Sequence, residues 1–484
     1  MQTPLAQRVH SSFLWNSSSV FASHFIWFAR SIAVARLLAP EDFGLWGMAL
    51  TVIAAGTALT NIGFESSIIL KKFSNDEEQT RYLNTVWTAG LLRSLGLTAA
   101  LLLAAGPVAR FYRADVLGAL TVLSFLPLIS GFQNVGLVLL RKEITFRTNA
   151  WFEQANNVMA TAISIGLALW LRDVRALVWG QVLGTATSVL LSYFFHPFRP
   201  QFSLDRKSFG EAFTFGKFIF VIGLLTYVTT MADNIVVGKY VGAAALGTYV
   251  LAYNFTNLSV GIVSATLNDV SLPAYAELHA NSPERLHPAF LKMFSVGAVL
   301  LTIINVPLLI LADEIVLLLF GARWLAAAPI LRVLALLGFF RGYLQIVAPL
   351  IISIRGPAPE MKAKIFESII FLAILIPLTL RYGAVGAAWA GVIVYLVTVM
   401  IRFWLIRRVA PQIFTRCIQV FALTLFAGTV GSIAGILLMT LSANDLVRLV
   451  SGGSMALVVI VGTMWFMMPG TARLMLSAIN PVRK

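Results

Sequence analysis

The sequence predicts an all-α polytopic membrane protein with about fourteen transmembrane helices. Hydrophobic side chains make up 58% of its 484 residues and charged ones only 12%, whereas soluble domains carry roughly 25% charged residues. The apolar runs are continuous and about twenty residues long, which indicates helices; a barrel would show strands of about ten residues with alternating polarity. Lys and Arg also concentrate in every second connection, as cytoplasmic loops require.

The predicted spans are apolar runs bounded by charge, proline or glycine. They lie near 13–38, 43–70, 82–104, 116–140, 150–171, 176–196, 212–238, 245–271, 292–312, 327–354, 364–380, 384–406, 416–440 and 447–468. The first run is too long for a signal-peptide core of about 7 to 15 residues, so we interpret it as span 1.

Basic residues predict the orientation of the spans. Lys71 and Lys72 follow span 2, further lysines follow spans 4, 6, 8, 10 and 14, arginines follow span 12, and Lys239 is the one lysine on the opposite side. Because positively charged loops stay in the cytoplasm, both termini are predicted to be cytoplasmic. The loops on the other side are short, so no external domain is expected.

Two internal similarities predict a duplication. At an offset of 203, ARSIAVARLLAPEDFGLW aligns with ADNIVVGKYVGAAALGTY, which pairs Gly44 with Gly247 and Arg36 with Lys239. At an offset of 210, a second similarity joins the starts of spans 6 and 12. Apolar helices also resemble one another by composition, but the matched loop residues favour duplication. The prediction is two parallel six-helix lobes around a central cavity and an appended pair of helices, at 1–200, 201–409 and 410–484.

Four charged residues stand out near the middle or in the outer half of predicted spans: Arg30, Arg93, Asp233 and Arg341. An ionised side chain at mid-bilayer costs at least about 2.5 to 3.5 kcal/mol, so such residues usually face a cavity or a partner. Arg30, Arg93 and Arg341 predict a cationic cavity for an anionic substrate, since guanidinium groups bind phosphate in a bidentate manner. Alternatively, Arg30 forms a structural interlobe pair with Asp233, and backbone carbonyls or snorkelling satisfy the other two arginines.

Other polar residues in the spans have two interpretations each. Glu65 and Asp269, which are close to equivalent under the repeat, are candidates for a cytoplasmic gate or a proton or sodium site, or are solvated helix ends. A set of amide and carboxylate side chains on spans 4 and 5 either binds sugar or joins helices to each other. This set comprises Gln133, Asn134, Glu153, Asn156 and Asn157.

The sequence offers little support for an enzyme or a metalloprotein. No histidines have zinc-ligand spacing, no phosphate-binding glycine loop is present, and Cys417 has no second cysteine to pair with. The basic residues are dispersed, which indicates anionic lipids rather than nucleic acid as a partner. Glu41 and Asp42 resemble the acidic metal-binding pair of membrane glycosyltransferases. Because they follow Pro40 directly, we interpret them as the first turn of a helix.

Several segments resemble a known family in the same order along nearly the whole chain. ARLLAPEDFGLWGMALTVI, NIGFESSIILKK, VLLRKEITFRTNAWFEQ and LFGARWLAAAPILRVLALLG are similar to the polysaccharide-export branch of the MOP exporter superfamily, which includes Wzx-type flippases. The segment FARSIAVARLL also resembles the corresponding helix of lipid II flippases, which implies that Arg30 lines a cationic cavity.

The resemblance implies a function and a location. It implies fourteen helices in two lobes, and flipping of undecaprenyl-diphosphate-linked oligosaccharide across the bacterial cytoplasmic membrane for O-antigen, capsule or exopolysaccharide. Its partners would be membrane lipids, a polysaccharide polymerase and export proteins, and no cofactor would be needed beyond a coupling proton or sodium ion. The alternatives are a drug or metabolite antiporter of the same superfamily and, less in keeping with the sequence, a glycan polymerase or ligase.

Overall fold

The chain is helical throughout the part that a computed structural model describes. The described residues are 22–61, 63–142, 146–441 and 444–467, and no β-strand occurs in these ranges. They form two compact units, Met1–Gly247 and Thr248–Lys484. The predicted all-α polytopic class is therefore confirmed. The predicted lobe boundaries at residues 200 and 409 follow the sequence repeat and stay predictions.

The first described helix of the first unit is α1, at residues 22–37; the rest of predicted span 1 lies outside the described residues. Nine further helices follow in the described chain up to residue 240. They are α2 (Pro40–Thr60), α3 (Phe64–Leu70), α4 (Asp76–Tyr112), α5 (Leu117–Leu123), α6 (Leu126–Gly131), α7 (Leu137–Lys142), α8 (Phe146–Leu171), α9 (Val174–Phe195) and α10 (Arg206–Tyr240).

The second unit is reached through α11 (Ala243–Asn281), which begins in the first unit. Its other elements include one short 3₁₀ helix, Ala322–Ala327. The α-helices are α12 (Pro283–Ile310), α13 (Ala312–Phe320), α14 (Ala328–Arg355), α15 (Ala358–Val409), α16 (Pro411–Met439) and α17 (Asp445–Met467).

These helices account for about fourteen spans in the described chain. Eight helical segments there are individually long and apolar enough to cross a bilayer. α15 contains two spans, since Gly383 has a non-helical backbone (φ 61°, ψ −146°) that divides its 52 residues. Two other spans are built from shorter helices: α2 with α3, and α5 with α6 and α7.

Two spans that the sequence predicts as continuous are broken, and the breaks share an Asn-X-Gly motif. The Asn61 side-chain oxygen accepts a hydrogen bond from the Gly63 N–H (3.0 Å), and the Asn134 oxygen accepts one from the Gly136 N–H (2.9 Å). Gly63 has a left-handed backbone (φ 63°), which glycine adopts without a steric penalty. Irregular backbone at membrane depth is tolerated where it lines a cavity or is packed within protein.

The start of α2 confirms the interpretation of the acidic pair as part of a helix N-terminus. Pro40 is the first helical residue, and Glu41 and Asp42 lie in the first turn. The Ala39 N–H donates a hydrogen bond to the Asp42 carboxylate (2.9 Å). This carboxylate therefore satisfies a free backbone donor and complements the positive end of the helix dipole.

Glycines at the starts of α2 and α11 form a reciprocal contact. A side chain on Gly44 would overlap the Ala243 carbonyl, and one on Gly247 would overlap the Pro40 carbonyl. Under the offset of 203, Gly44 corresponds to Gly247 and Pro40 to Ala243. Each glycine therefore packs on the residue equivalent to the one that the other glycine contacts. Two-fold related segments make contacts of this kind. The duplication itself stays a prediction.

Candidate functional site

A cavity of about 420 Å³ lies within the first unit. Its walls come from α2, α3, α4, α6, α7 and α8 and from both broken segments, so irregular backbone and cavity coincide. Among the described residues that line it, Arg93 is the one with a charged side chain. The lining is Thr57, Asn61, Gly63, Phe64, Val86, Trp87, Gly90, Arg93, Ser94, Ser130, Gly131, Gln133, Asn134, Val135, Leu137, Val138, Asn149 and Phe152.

Arg93 is held at the cavity wall by the end of α2. It lies near the middle of α4 and is partly buried, and its guanidinium donates to the Thr60 carbonyl (3.3 Å). Thr60 is the last residue of α2, where unpaired carbonyls carry the negative end of the helix dipole. A cation fixed in this way in a low-dielectric wall attracts an anion more strongly than one in water. Arg93 is therefore a candidate ligand for a phosphate or carboxylate.

The two amides predicted on span 4 have different surroundings. Gln133 and Asn134 both line the cavity. The Asn134 amide nitrogen donates to the carbonyls of Phe198 (2.8 Å) and His196 (3.2 Å), and its oxygen accepts from Gly136. Its side chain thus holds the backbone after α9 against the break in span 4. Asn134 shapes the cavity wall, and its predicted sugar contact stays a prediction, as does that of Gln133.

The predicted polar residues of α8 are joined mainly to other protein groups. Asn149, which lines the cavity, donates to the Glu153 carboxylate (2.8 Å). Asn157 donates to the Ser23 hydroxyl (2.9 Å) and so links α8 to α1. The Asn156 side-chain oxygen is buried and has no hydrogen-bond partner among the described residues. Sugar binding by Glu153, Asn156 and Asn157 stays a prediction.

Sequence reasoning missed most of the residues that line this cavity, including two amides and a tryptophan. Asn61, Trp87 and Asn149 line it alongside the predicted Arg93. The signal for Asn61 is the Asn-X-Gly motif, because the same three-residue pattern breaks span 4 at Asn134. Trp87 and Asn149 have no comparable sequence signal, since either residue type is common in helix contacts within membranes.

Arg341 lies in the second unit, within a cluster of protein partners. Its guanidinium donates to the Tyr253 hydroxyl and to the Asn257 side-chain oxygen, both at 3.0 Å. The Glu367 carboxylate, which is 2% exposed, interacts with it electrostatically. Lys364 also forms an ion pair with Glu367 (2.6 Å). The partners of Arg341 are therefore side chains, and its predicted place in a substrate cavity stays a prediction.

The structure shows in which helices the remaining predicted charges lie, and their roles stay predictions. Arg30 is partly buried in α1, and Asp233 is buried in α10. Both belong to the first unit, and their ion pair stays a prediction. Glu65 lies in α3 and Asp269 in α11, but their side chains are outside the described part of the structure.

An ion cluster joins the ends of three helices away from the cavity. Lys71, directly after α3, contacts the carboxylates of Glu78 (3.2 Å) and Glu211 (2.5 Å), which lie on α4 and α10. The pKa of Glu78 is lowered to about 2, first by a hydrogen bond from the Ser74 N–H and then by Lys71. The lowered pKa extends the ionised form of this carboxylate to more acidic pH. In the described ranges no group of three or more His, Cys, Asp or Glu side chains is arranged to hold a metal.

The fold is shared with a solved helical membrane protein. The lipid II flippase MurJ, in an inward closed conformation, superimposes with a TM-score of 0.78 over 94% of this chain and 99% of that chain, at 15% identity. At this identity the likeness concerns the fold. It confirms the predicted all-α polytopic fold.

The family follows from the sequence itself. A family model described as polysaccharide biosynthesis protein matches residues 33–329, and the chain belongs to that family. It is 26% identical to the teichuronic acid biosynthesis protein TuaB of Bacillus subtilis, over 70% of this chain and 69% of that protein. It is 24% identical to the lipopolysaccharide biosynthesis protein WzxC of Escherichia coli, over 83% of this chain and 81% of that protein.

Proposed function

We propose that this protein flips a polyprenyl-diphosphate-linked oligosaccharide across the bacterial cytoplasmic membrane for a surface polysaccharide. Family membership and relatives named for teichuronic acid and lipopolysaccharide biosynthesis support the substrate class. The fold shared with a lipid II flippase supports the mode of action. In this proposal the working partners are membrane lipids, a polysaccharide polymerase and export proteins.

The observation that carries the proposal is the cavity around Arg93. Its volume of about 420 Å³ falls within the range of roughly 300 to 1,000 Å³ that proteins use for small ligands. Arg93 supplies one positive charge for a diphosphate, and the amide and hydroxyl groups around it suit sugar hydroxyls. The polyprenyl tail needs no cavity because it can remain in the lipid.

The proposed mechanism is alternating access without covalent chemistry. Both termini are cytoplasmic in this proposal, so the headgroup enters the cavity from the cytoplasmic leaflet and leaves towards the other one. The breaks at Asn61 and Asn134 give the wall local freedom, as do the broken helices at the binding sites of other transporters. A membrane potential, a proton gradient or a sodium gradient supplies the energy, with Glu65, Asp233 and Asp269 as candidate coupling residues and Arg30 as a second phosphate ligand.

A polymerase or ligase is less well supported because its candidate acids have another role. The Asp42 carboxylate accepts a hydrogen bond from the Ala39 N–H at the start of α2. We therefore expect Asp42→Ala to lower stability by about 0.5 to 2 kcal/mol, as loss of a helix cap does, with transport retained in the folded fraction. Loss of polysaccharide synthesis by a fully folded Asp42→Ala protein would favour the enzyme.

Deletion of the gene in its host tests the flippase proposal against the antiporter alternative. A flippase defect should leave lipid-linked oligosaccharide in the cytoplasmic leaflet and remove the surface polysaccharide. Extracted lipid-linked sugars and surface glycan are measured together with sensitivity to cationic drugs. Unchanged glycan with altered drug sensitivity would overturn the proposal and favour the antiporter.

A further inference from the structure

Asn61, at the break between α2 and α3, carries an accessible hydrogen-bond donor at the wall of the cavity. Its side-chain oxygen accepts a hydrogen bond from the Gly63 N–H (3.0 Å), so the amide nitrogen is the end that remains. This nitrogen has no hydrogen-bond partner among the described residues, and it keeps accessible surface, unlike the indole nitrogen of Trp87. Because Asn61 lines the cavity, a ligand there can reach this donor.

The amide at the other break has no such donor to offer. The Asn134 oxygen accepts from the Gly136 N–H (2.9 Å), but its nitrogen donates to the carbonyls of Phe198 (2.8 Å) and His196 (3.2 Å). The two breaks therefore share the same local turn and differ in the use of the nitrogen. The turn requires only the side-chain oxygen. It leaves the nitrogen of Asn61 without a structural role in the described chain.

Asn61 lies next to the residue that holds Arg93. The Arg93 guanidinium donates to the Thr60 carbonyl (3.3 Å), and the Cα atoms of consecutive residues are about 3.8 Å apart. Both side chains line the same cavity. An arginine has no acceptor, and the one acceptor of Asn61 is occupied by the turn. The two neighbouring side chains therefore present donors to a ligand, one of them charged.

A group that carries only acceptors fits such a pair best. The oxygens of an ionised phosphate accept hydrogen bonds and do not donate them, whereas sugar hydroxyls do both. Hydrogen bonds to an ionised acceptor are also roughly twice as strong as neutral ones. Gln133 offers a contrast on the same cavity wall, because neither end of its amide is bonded in the described chain. An amide with both ends open suits hydroxyls, and one with only its nitrogen open suits phosphate.

We propose that Asn61 is a ligand of the diphosphate. Its amide nitrogen donates a hydrogen bond to a phosphate oxygen, beside the oxygen that Arg93 binds. This assignment rests on the proposed function and adds to it a phosphate subsite made of two neighbouring side chains. It also gives the two Asn-X-Gly breaks different tasks, since the amide of Asn61 binds the headgroup and the amide of Asn134 holds the wall.

Binding of two lipids to the purified full-length protein tests this assignment. The probes are undecaprenyl diphosphate and the same lipid carrying one N-acetylglucosamine. Asn61→Ser and Asn61→Asp both keep an acceptor for the turn and remove the amide donor, and the aspartate adds a negative charge. Asn84→Ser is the matched control, because the Asn84 oxygen also accepts a backbone N–H, from Gln201 (2.9 Å), and Asn84 is outside the described cavity lining. Thermal unfolding shows whether each variant is folded.

We expect Asn61→Ser to weaken binding of both lipids by about tenfold, the effect of losing one hydrogen bond to a charged group. Asn61→Asp should weaken binding further, because its carboxylate repels the diphosphate and competes with it for Arg93. The control Asn84→Ser should leave both affinities unchanged.

Three results would overturn the phosphate assignment and leave the proposed function in place. They are an unchanged affinity of Asn61→Ser for both lipids, a loss confined to the sugar-bearing lipid, and an equal loss in Asn84→Ser. Failure of the unmodified protein to bind either lipid would overturn the proposed function and this inference with it.

Discussion

Arg93 and Arg341 both lie near the middle of a membrane span, yet the structure surrounds them differently. Arg93 contacts a backbone carbonyl at a helix break and borders a cavity of about 420 Å³. Arg341 donates to Tyr253 and Asn257 and interacts with the buried Glu367. A charge in a membrane needs a partner, and the kind of partner separates a binding residue from a packing residue. The comparison makes Arg93 the better candidate for substrate binding.

The largest effect should follow from removing the charge of Arg93. We expect Arg93→Gln to reduce flipping by about a hundredfold or more, because the charge-assisted hydrogen bonds to the diphosphate are lost. The protein should still insert and fold, since glutamine can donate to the Thr60 carbonyl. Transport of a labelled lipid-linked oligosaccharide in vesicles measures the effect. Arg93→Lys should retain part of the activity, and equal activity of Arg93→Gln and the unmodified protein would remove Arg93 from the site.

Loss of Arg341 should show itself first as lower stability. Arg341→Gln leaves the buried Glu367 carboxylate without this cation, and we expect a cost of about 2 kcal/mol in the free energy of unfolding. Thermal unfolding in detergent is the measurement, with the exposed Arg355→Gln at the end of α14 as the control. The additional change Glu367→Gln should restore part of the loss. Full stability of Arg341→Gln together with abolished transport would place Arg341 in the binding site after all.

Substitution of Gly44 or Gly247 should disturb helix packing without changing a residue that lines the cavity. We expect Gly44→Ala, and equally Gly247→Ala, to force α2 and α11 apart at a cost of about 1 to 3 kcal/mol. The measurement is again thermal unfolding. Gly166→Ala on α8 is the matched control, because a side chain there meets no neighbouring atom within 4 Å. If Gly44→Ala proved as stable as Gly166→Ala, the reciprocal packing would not be an important contact.

The smallest effect concerns the wall of the cavity. Asn134→Ala removes the side chain that holds the carbonyls after α9, and we expect a loss of about 1 to 2 kcal/mol in stability. Asn156→Ala is the control, since the buried Asn156 oxygen has no partner among the described residues. Binding of undecaprenyl diphosphate by the folded Asn134→Ala protein should be nearly unchanged. A selective loss of sugar binding at normal stability would show instead that Asn134 contacts the substrate.

The sequence was informative about the fold because lipid imposes strong rules on composition. Run length and the distribution of lysines predicted about fourteen helices, and the repeat predicted that Gly44 and Gly247 are equivalent. It did not predict the breaks at Asn61 and Asn134, because both lie within apolar runs and only an Asn-X-Gly pattern marks them. Arg93 could be predicted from the cost of a charge in lipid. Trp87 could not be predicted as a lining residue, since its position at the cavity depends on how the helices pack.

Flipping by purified protein in vesicles tests the central claim most directly. A fluorescent undecaprenyl-diphosphate oligosaccharide is placed in both leaflets, and its accessibility to a membrane-impermeant quencher is followed under imposed proton, sodium and potential gradients. The account predicts rapid transfer with the unmodified protein under at least one gradient and a rate near that of empty vesicles with Arg93→Gln. Equal transfer rates for the unmodified protein, Arg93→Gln and empty vesicles under every gradient would contradict it.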